Sequence, residues 1–296
     1  MKILVIGATG LAGSPVAKYL STEGHQVRVM SRDLETVRSR FDSSFEIVRG
    51  DVEDITSLTT ATQDCEGVHI NLDGKSDPDL ERRGVENIVR VAKENEVKML
   101  SYLSGATVTE ENGWYPGTKA KLQAEAAIRS SGLAYVIFRS TFFMETLPRF
   151  VNNGRASIIG TQPNLWRWVA VEDYARMVAK AYTIPNLKRE FYIYGPQALT
   201  MKNALQQHCN VVHSGMKVNS LPFWVAGMIA ALSKDAGLQS AISFFRYTEK
   251  TTEVGSADEA NSLLGKPATT LIEWAKNQAS KQARKGSQEA HSEQKT

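Results

Sequence analysis

The sequence has little of what would assign a protein to several broad functional classes. Its two cysteines, Cys65 and Cys209, form neither a CxxC pair nor a disulfide framework, so we expect a protein of the reducing cytoplasm. The formal net charge is only +3, from 35 basic and 32 acidic residues, which argues against nucleic acid as a partner. One long apolar stretch, residues 221–232, is shorter than the about 20 residues of a membrane span. We therefore expect no membrane span, and a buried helix or a lid over a pocket at this stretch.

The N-terminal segment MKILVIGATGLAG carries the strongest functional pattern. Its apolar residues 3–6 predict a buried β-strand, and the three glycines that follow predict a tight turn leading into a helix. In a dinucleotide-binding loop such glycines permit the turn, the approach of a pyrophosphate, and the packing of helix on strand. The alternative for this GxxGxxG spacing is a glycine-rich turn without a ligand. We assign the loop to phosphate binding through Gly7, Thr9, Gly10, Leu11, Ala12 and Gly13.

Strand and helix patterns alternate along the first half of the chain. Apolar runs predict strands at residues 27–30, 45–48, 67–72, 97–103 and 134–139. Residues 14–20 and 85–92 have the periodicity of amphipathic helices. The alternation predicts βαβ units and therefore an α/β fold with a Rossmann-type doubly wound parallel sheet.

The pattern changes after residue 150, and we divide the chain accordingly. Residues 1–150 are predicted to form the dinucleotide-binding Rossmann domain, and residues 196–278 a smaller, mostly helical C-terminal cap lobe for the substrate. In the segment 166–195, predicted strands at 166–171 and 191–194 flank a helix, and the segment returns either to the sheet edge or to the small lobe. Residues 279–296 contain no large apolar residue and are predicted to be a disordered tail.

The end of the second strand distinguishes the two nicotinamide dinucleotides. An acidic residue there binds the ribose 2′-hydroxyl of NAD, whereas an arginine pairs with the 2′-phosphate of NADP. The strand ends in Ser31 and Arg32, and the first acid, Asp33, comes one residue later. We therefore predict NADP(H) as the cofactor, with Arg32 and Ser31 at the 2′-phosphate. The alternative is an ordinary solvent-exposed loop arginine.

Residues that follow the third and fourth strands are expected along the cofactor. Ligands of doubly wound sheets lie across the carboxyl ends of the strands. On that ground we assign Asp51 and Val52 to the adenine side, and Asn71 and Leu72 to the middle of the cofactor. Turn formation by Asp51 and a capping role for Asn71 are the alternatives.

The order of six motifs, GATGLAG, SRD, GDVED, LSGATV, KLQAE and SGLAYVIFRSTFFME, resembles the short-chain dehydrogenase/reductase superfamily. Within it the chain is most similar to the atypical NmrA-like branch, which includes NADP-dependent reductases and nucleotide-sensing regulators. The resemblance covers roughly residues 1–195. It implies a site in which a tyrosine hydroxyl protonates a carbonyl oxygen, a serine orients the carbonyl, and a lysine binds the nicotinamide ribose.

Two registers compete for the tyrosine and lysine positions of that site. A literal Tyr-x-x-x-Lys is present at Tyr115 and Lys119. The Lys-x-x-x-Glu pattern of the family helix instead matches Lys121 and Glu125, which puts the family's tyrosine position on Gly117. Two residues rotate a helix by about 200°, so both registers cannot face the cofactor. We assign Lys121 to ribose binding, with an i,i+4 pair to Glu125 as the alternative, and Tyr115, in the loop before the helix, as the candidate proton donor.

The resemblance also implies contacts near the nicotinamide ring. The LSGATV motif puts the family's catalytic serine on Gly105 and leaves Ser104 at the strand end, either as a cofactor ligand or as a structural hydroxyl. The segment RSTFFME matches the family segment that runs beneath the nicotinamide, and there we assign Phe142. Packing of this ring in the core is the alternative.

Two functions follow from these assignments. The first is an NADPH-dependent reductase of a small apolar acceptor, aromatic or quinone-like, that works without the family's Ser–Tyr pair. The second is a non-catalytic NADP(H)-sensing regulator or assembly factor that binds another protein. A small-molecule substrate is expected under the first function, a protein partner under the second, and nucleic acid under neither. No metal site is expected, because His208, Cys209 and His213 lack a ligand arrangement.

Overall fold

The computed structural model describes residues 1–74 and 77–293. The strands are β1 (Lys2–Ile6), β2 (Gln26–Ser31), β3 (Glu46–Arg49), β4 (Gly67–Ile70), β5 (Met99–Gly105), β6 (Ala134–Ser140), β7 (Val151–Asn152), β8 (Arg155–Ile159), β9 (Leu165–Trp166), β10 (Lys188–Ile193), β11 (Leu199–Thr200) and β12 (Val218–Leu221). The α-helices are α1 (Gly13–Thr22), α2 (Leu34–Arg38), α3 (Ile55–Thr62), α4 (Leu80–Glu94), α5 (Pro116–Ser130), α6 (Val171–Ala181), α7 (Met201–Val212), α8 (Phe223–Ser233), α9 (Ala236–Lys250), α10 (Asp258–Leu264) and α11 (Leu271–Glu293). Short 3₁₀ helices span Glu110–Asn112 and Met144–Phe150.

The chain divides into two units, of which unit 1 comprises Met1–Thr141, Val171–Ile193 and Val254–Pro267. It contains a seven-stranded sheet in the order β10-β6-β5-β4-β1-β2-β3. Every strand pair in this sheet is parallel. Because the chain winds outward from β1 in both directions, the topological switch point lies between β1 and β4. The predicted Rossmann-type α/β fold is confirmed.

The central strand of unit 1 is apolar on both sides because helices cover both faces of the sheet. Leu4 and Ile6 belong to the same buried cluster as Val85 and Ile88 of α4. Side chains of a strand alternate between faces, so the fully buried Ile3 points to the opposite face. This burial explains why residues 3–6 form a continuous apolar run rather than an alternating one.

Unit 2 comprises Phe142–Ala170, Tyr194–Glu253 and the chain from Ala268 onward. It contains a small sheet in the order β12-β8-β7, the strand pair β9–β11, and the helices α7, α8, α9 and α11. Its buried cluster includes Trp166, Trp168, Phe245 and Trp274. The smaller lobe predicted at residues 196–278 falls mostly within this unit, but unit 2 begins at Phe142 rather than after residue 150.

The predicted strand at residues 166–171 is wrong for most of its length. Strand β9 contains only Leu165–Trp166, and α6 already begins at Val171. Between them Trp168, Val169 and Ala170 are buried, which explains the apolar run without a strand. The predicted strand at 191–194 corresponds to β10, at the edge of the unit 1 sheet.

Two expectations for the C-terminal part also differ from the structure. Helix α8 is not a buried helix, because Trp224 is 68% exposed and Leu232 is 86% exposed. Helix α11 runs from Leu271 to Glu293, although most of that stretch was expected to be disordered. Its alanine, lysine, glutamine and glutamate residues have high helix propensity, which polarity alone does not reveal. Residues 294–296 of the predicted tail lie outside the described residues, and in the described part no helix is long and apolar enough to cross a membrane.

Candidate functional site

The glycine loop after β1 has a backbone path that only glycine permits. Gly7 has a positive φ of 76°, and a Cβ there would lie 1.9 Å from the carbonyl oxygen of Asn71. A Cβ on Gly13 would lie 2.2 Å from the carbonyl oxygen of Gly7. The amide of Gly10 donates to the Gly7 carbonyl at 2.9 Å, which closes the turn. The loop is therefore a tight cradle of backbone, as the sequence pattern predicts.

Backbone donors at the start of α1 remain available for a ligand. The amide of Ser14 donates to the Gly10 carbonyl, and that of Val16 to the Ala12 carbonyl. The amides of Leu11 and Ala12 donate to no acceptor within residues 1–74 and 77–293. These N–H groups lie at the positive end of the α1 dipole, where an anion is stabilised. Donors and cradle together fit the pyrophosphate of a dinucleotide.

At the end of β2 the first acidic residue is occupied by local structure. The Asp33 carboxylate caps α2 by accepting the amides of Glu35 and Thr36. Hydrogen bonds from the Thr36 hydroxyl and amide lower the pKa of Asp33. The Ser31 hydroxyl accepts the Asp33 amide at 3.1 Å. Arg32 is exposed, with its Nη1 3.8 Å from Asp51 Oδ2, so its guanidinium is the freer charge at this strand end.

A second arginine reaches the glycine loop and was missed by the sequence analysis. Arg40 donates from Nη1 to the carbonyl oxygen of Thr9 at 2.5 Å. The next residue, Phe41, is buried and packs against Phe45 at a ring-centroid distance of 4.9 Å. Arg40 belongs to no motif, and its contact joins residues 31 apart, so no pattern in the sequence signals it.

Residues predicted on the adenine side and along the middle of the cofactor lie together, after the carboxyl ends of β3 and β4. A Cβ on Gly84 of α4 would lie 2.9 Å from Val52 Cγ2 and 3.0 Å from Leu72 Cδ1. The two apolar side chains therefore share one contact surface over α4. Asn71 Nδ2 would lie 3.5 Å from a Cβ on Gly10, which places its amide beside the glycine loop. Gly84 was also missed, because a glycine inside a helix carries no phosphate-binding signature.

Lys121 is held by a buried carboxylate. Its Nζ lies 2.5 Å from Glu81 Oε1 and 3.4 Å from the carbonyl oxygen of Leu103. Glu81 is only 4% exposed and also accepts the Tyr102 hydroxyl at 2.6 Å. Burial and the Glu81 charge raise the pKa of Tyr102 well above its usual value, so this hydroxyl stays a donor. The alternative that Lys121 pairs with Glu125 is wrong.

Glu125 instead forms a buried cluster with Ser104 and two arginines. The Ser104 hydroxyl donates to Glu125 Oε1 at 2.7 Å, and Arg139 and Arg129 each contact Oε2 at 2.6 Å. The hydroxyl of Ser104 therefore has a structural partner, and its assignment as a cofactor ligand stays a prediction. Position 105 has room for a side chain, because a Cβ on Gly105 would meet Val108 Cγ2 at 3.4 Å.

Tyr115 lies in the loop before α5, where the proline that follows it led us to expect it. Its backbone is extended, with φ −85° and ψ 126°, and α5 begins one residue later at Pro116. A Cβ on Gly117 would lie 3.3 Å from Tyr115 Cε1. The rotation of about 200° for two residues applies within a helix, so it does not separate this ring from the face of Gly117.

Phe142 belongs to an aromatic cluster of unit 2. Its ring centroid lies 4.7 Å from that of Trp166, 5.5 Å from that of Trp168 and 5.9 Å from that of Phe244. Within unit 2, Phe142 therefore packs against other aromatic rings, as the core-packing alternative expects. Its assignment beneath the nicotinamide stays a prediction.

Comparison with known proteins connects these features to a family. The model of the NAD(P)H-binding family matches residues 7–183. The (4-alkanoyl-5-oxo-2,5-dihydrofuran-3-yl)methyl phosphate reductase of Streptomyces griseus is 27% identical over 289 residues, which cover 94% of this chain and 98% of that protein. The photosystem II assembly factor Ycf39 of Cyanophora paradoxa is 27% identical over 155 residues, 50% of this chain and 47% of that protein.

A solved structure extends the likeness over both units. The triphenylmethane reductase of Citrobacter sp., complexed with NADP(H), matches with a TM-score of 0.76 at 22% identity, over 94% of this chain and 100% of that chain. At this identity the likeness shows a common fold. The family match, however, spans more than half of the chain and begins at Gly7, in the loop whose geometry fits a pyrophosphate. The chain therefore belongs to the NAD(P)H-binding family, and reductases are among its relatives.

Proposed function

We propose that this protein is an NADPH-dependent reductase of a small apolar acceptor, such as an aromatic or quinone-like carbonyl compound. The observation that carries the proposal is the position of the Lys121 ammonium relative to the glycine loop. Strand β4 pairs with β1 on one side and with β5 on the other. Gly7 directly follows the paired residues of β1, and Leu103 directly follows the residues of β5 at the same level of the sheet. Neighbouring strands are spaced by about 4.8 Å, so the two positions lie about 10 Å apart across β4. Lys121 Nζ lies 3.4 Å from the Leu103 carbonyl oxygen, at one end of this span.

That span suits the two halves of a dinucleotide. The glycine loop would hold the pyrophosphate, and Lys121 the nicotinamide ribose. Arg32, with Arg40 beside the loop, would pair with the 2′-phosphate, which favours NADPH over NADH. Val52 and Leu72 would supply the apolar contact for the adenine ring.

Lys121 also contributes to the chemistry that we propose. A bound NADPH supplies a hydride, which is one proton and two electrons, to the acceptor. Reduction of a carbonyl places negative charge on its oxygen, and a nearby ammonium stabilises that charge. Because the buried Glu81 already holds Lys121, the ammonium is positioned before a substrate binds. The similarity to reductases of Streptomyces griseus and Citrobacter sp. supports a reduction as the reaction. The name of the Citrobacter protein, triphenylmethane reductase, supports an aromatic acceptor.

The test is NADPH oxidation by the purified protein, followed by absorbance, with quinones, aromatic aldehydes, enones and a triphenylmethane dye. We expect turnover with at least one acceptor and a loss of about 100-fold in kcat for Lys121→Met. Lys119→Met is the matched control, because Lys119 is an exposed lysine of the same helix, and it should retain wild-type activity. NADPH binding without turnover of any acceptor would contradict the proposal.

A second candidate function is favoured by the apolar surface of α8. Trp224, Met228, Ile229 and Leu232 are exposed on this helix, which is an unusual amount of apolar surface for one element. The relation to an assembly factor supports a role in which an NADP(H)-bound protein binds another protein. This role predicts NADPH binding with no turnover, which is the opposite outcome of the same assay.

A further inference from the structure

We propose that α8 docks this protein on the surface of an anionic lipid bilayer, through an apolar stripe formed by Trp224, Met228, Ile229 and Leu232. The stripe lies within unit 2. The inference goes beyond the reductase function, because it concerns the surface to which the protein binds rather than the compound that it reduces. A second copy of this chain and a protein partner are the other possible occupants, and the experiment distinguishes them.

The first step concerns the arrangement of α8, which presents its apolar residues to solvent. None of the 11 residues of this helix is charged. Three of the four stripe residues follow one another at i,i+4, so they lie along one face. The side chains of the stripe are between 45% and 86% exposed. The buried residues of the helix, Ala226 and Ala230, lie on the opposite side. The solvent-facing side of α8 is therefore its apolar side, the reverse of an ordinary surface helix.

The second step concerns the basic side chains at the two ends of the stripe. Arg246 of α9 is exposed, and its guanidinium carbon lies 5.6 Å from the centre of the Phe223 ring, at the first residue of α8. Lys234 directly follows the last residue of α8 and is also exposed. A cation at each end of an apolar stripe complements a surface that is apolar inside and carries phosphate groups outside.

Two carboxylates of the same region are already engaged within unit 2. Asp235 caps α9 by accepting the amide of Leu238 at 3.1 Å. Glu249 is half-buried and accepts the amides of Thr161 and Gln162 at 2.6 and 3.1 Å. Because both carboxylates are held by backbone donors, they do not offset Arg246 and Lys234 as groups that contact a lipid headgroup.

The third step uses the size of the stripe to choose between a bilayer and a second copy. A helix of 11 residues is about 16 Å long, and a large apolar patch on a monomer measures about 300–600 Å². A standard stable interface buries about 800 Å² of each partner. It also contains hydrogen bonds, for which the stripe has only the indole N–H of Trp224. A bilayer requires no matching surface, because apolar side chains enter the acyl region and a tryptophan lies at the level of the headgroups.

The docking that we propose places α8 in the plane of the bilayer surface. The stripe would enter the boundary between headgroups and acyl chains by about 5–10 Å. Arg246 and Lys234 would then contact lipid phosphates, and each such contact is expected to strengthen binding about fivefold. An apolar acceptor of the proposed reductase partitions into the same bilayer, so the protein would dock where that acceptor accumulates.

The test is co-sedimentation of the purified full chain with lipid vesicles, without NADPH or an acceptor. Vesicles of phosphatidylcholine with about 30% phosphatidylglycerol are compared with vesicles of phosphatidylcholine alone. We expect binding to the anionic vesicles, about tenfold stronger than to the neutral ones, and a decrease as salt screens the charges.

Variants of the stripe and of its basic end test the two contributions separately. Leu232→Gln should weaken vesicle binding about tenfold, and the double variant Trp224→Gln/Leu232→Gln about 100-fold. Leu165→Gln is the matched control, because Leu165 is a 57% exposed leucine of unit 2 outside the stripe. Lys234→Gln should weaken binding to anionic vesicles about fivefold and leave binding to neutral vesicles unchanged. All these positions are exposed, and circular dichroism with thermal unfolding verifies that each variant is folded.

Tryptophan fluorescence identifies the part of the chain that contacts lipid. Trp224 and Trp114 are the exposed tryptophans, and Trp114 belongs to unit 1. Anionic vesicles should shift the emission to shorter wavelength, and this shift should be lost in Trp224→Phe and kept in Trp114→Phe. The opposite result would mean that unit 1 contacts the bilayer, and it would overturn the proposal.

Three further outcomes also contradict it. Sedimentation with neither type of vesicle overturns the proposal and leaves the stripe to a protein partner. Unchanged vesicle binding in Trp224→Gln/Leu232→Gln overturns the role of the stripe. A dimer, measured by light scattering, that the same double variant dissociates would assign the stripe to a second copy. The reductase proposal is tested independently, because NADPH oxidation is measured without vesicles.

Discussion

The glycine loop and the Lys121 end of the sheet lie at the same carboxyl edge of parallel strands, yet they are built in opposite ways. At the loop the structure depends on missing side chains, because backbone atoms of Asn71 and Gly7 occupy the places of two Cβ atoms. At the other end it depends on side-chain pairs, because Glu81 holds Lys121. A side chain cannot be added at a loop glycine without moving the backbone atoms that lie there. One residue of the Lys121–Glu81 ion pair, by contrast, can be replaced at a finite cost in stability.

The largest expected effect is therefore a methyl group at the loop. Gly7→Ala should lower the free energy of unfolding by more than about 3 kcal/mol and abolish NADPH binding, because its Cβ would lie 1.9 Å from the Asn71 carbonyl oxygen. Gly24→Ala is the matched control, since Gly24 has φ 83° but nothing within 4 Å, and it should cost only about 1 kcal/mol. Urea unfolding and NADPH titration measure both variants. Equal losses in the two would show that φ alone, not the contact with Asn71, requires glycine.

This difference also explains what could be predicted from the sequence. Strand, turn and helix of the loop are adjacent in the sequence, so GATGLAG with the apolar run before it was sufficient to predict them and the ligand class, although the contact between Gly7 and Asn71 was not predicted. The partner of Lys121 lies 40 residues away on α4, and no spacing rule connects it, whereas the i,i+4 neighbour Glu125 was the visible but wrong candidate. Arg40 was missed for the same reason.

The predictions that failed elsewhere depended on hydrophobicity alone. Residues 166–171 are apolar because Trp166 and Trp168 are buried in unit 2, and burial does not require a strand. The apolar stretch 221–232 was expected to form a buried helix or a lid over a pocket, and in α8 only Ala226 and Ala230 are buried.

The next largest effect should come from the carboxylate that holds Lys121. Glu81→Gln removes a buried charge that accepts from both Lys121 and Tyr102, so we expect a loss of about 1–3 kcal/mol in unfolding free energy and about tenfold in kcat. Glu125→Gln disturbs the other buried cluster and should cost similar stability while kcat stays at the wild-type level. Urea unfolding and steady-state kinetics compare the two, and equal kcat values in both variants would argue against a positioning role for Glu81.

A pH effect tests whether the two ends depend on one platform, because β4 lies between them. Burial lowers the pKa of His69 in β4 from its usual 6.5 to about 3. Below pH 6.5 the unfolded chain therefore binds a proton that the folded chain does not, and stability falls as the pH falls toward about 3. The slope for one such proton is about 1.4 kcal/mol per pH unit.

His69→Gln should flatten this slope between pH 6 and 4, at the cost of the 2.8 Å contact between His69 and Ser101. Urea unfolding at several pH values gives the two slopes. We also expect NADPH binding and activity to be lost at a common pH in the wild type. Separate midpoints for the two losses would mean that the loop and the Lys121 end respond to acid independently.

The smallest effects are expected at the exposed arginines, where solvent screens the charges. Arg32→Ala should reduce the preference for NADPH over NADH by about tenfold, and Arg32→Asp should reverse it, because Asp33 is already used in capping α2. Arg40→Ala should have a weaker effect of the same sign, since Arg40 also bonds the Thr9 carbonyl. Arg38→Ala, an exposed arginine of α2, serves as the control. Dissociation constants of NADPH and NADH at low and high salt show whether each arginine contacts the 2′-phosphate. If it does, the preference for NADPH falls as salt screens the contact. If Arg40 only holds the Thr9 carbonyl, Arg40→Ala should weaken the binding of both cofactors equally.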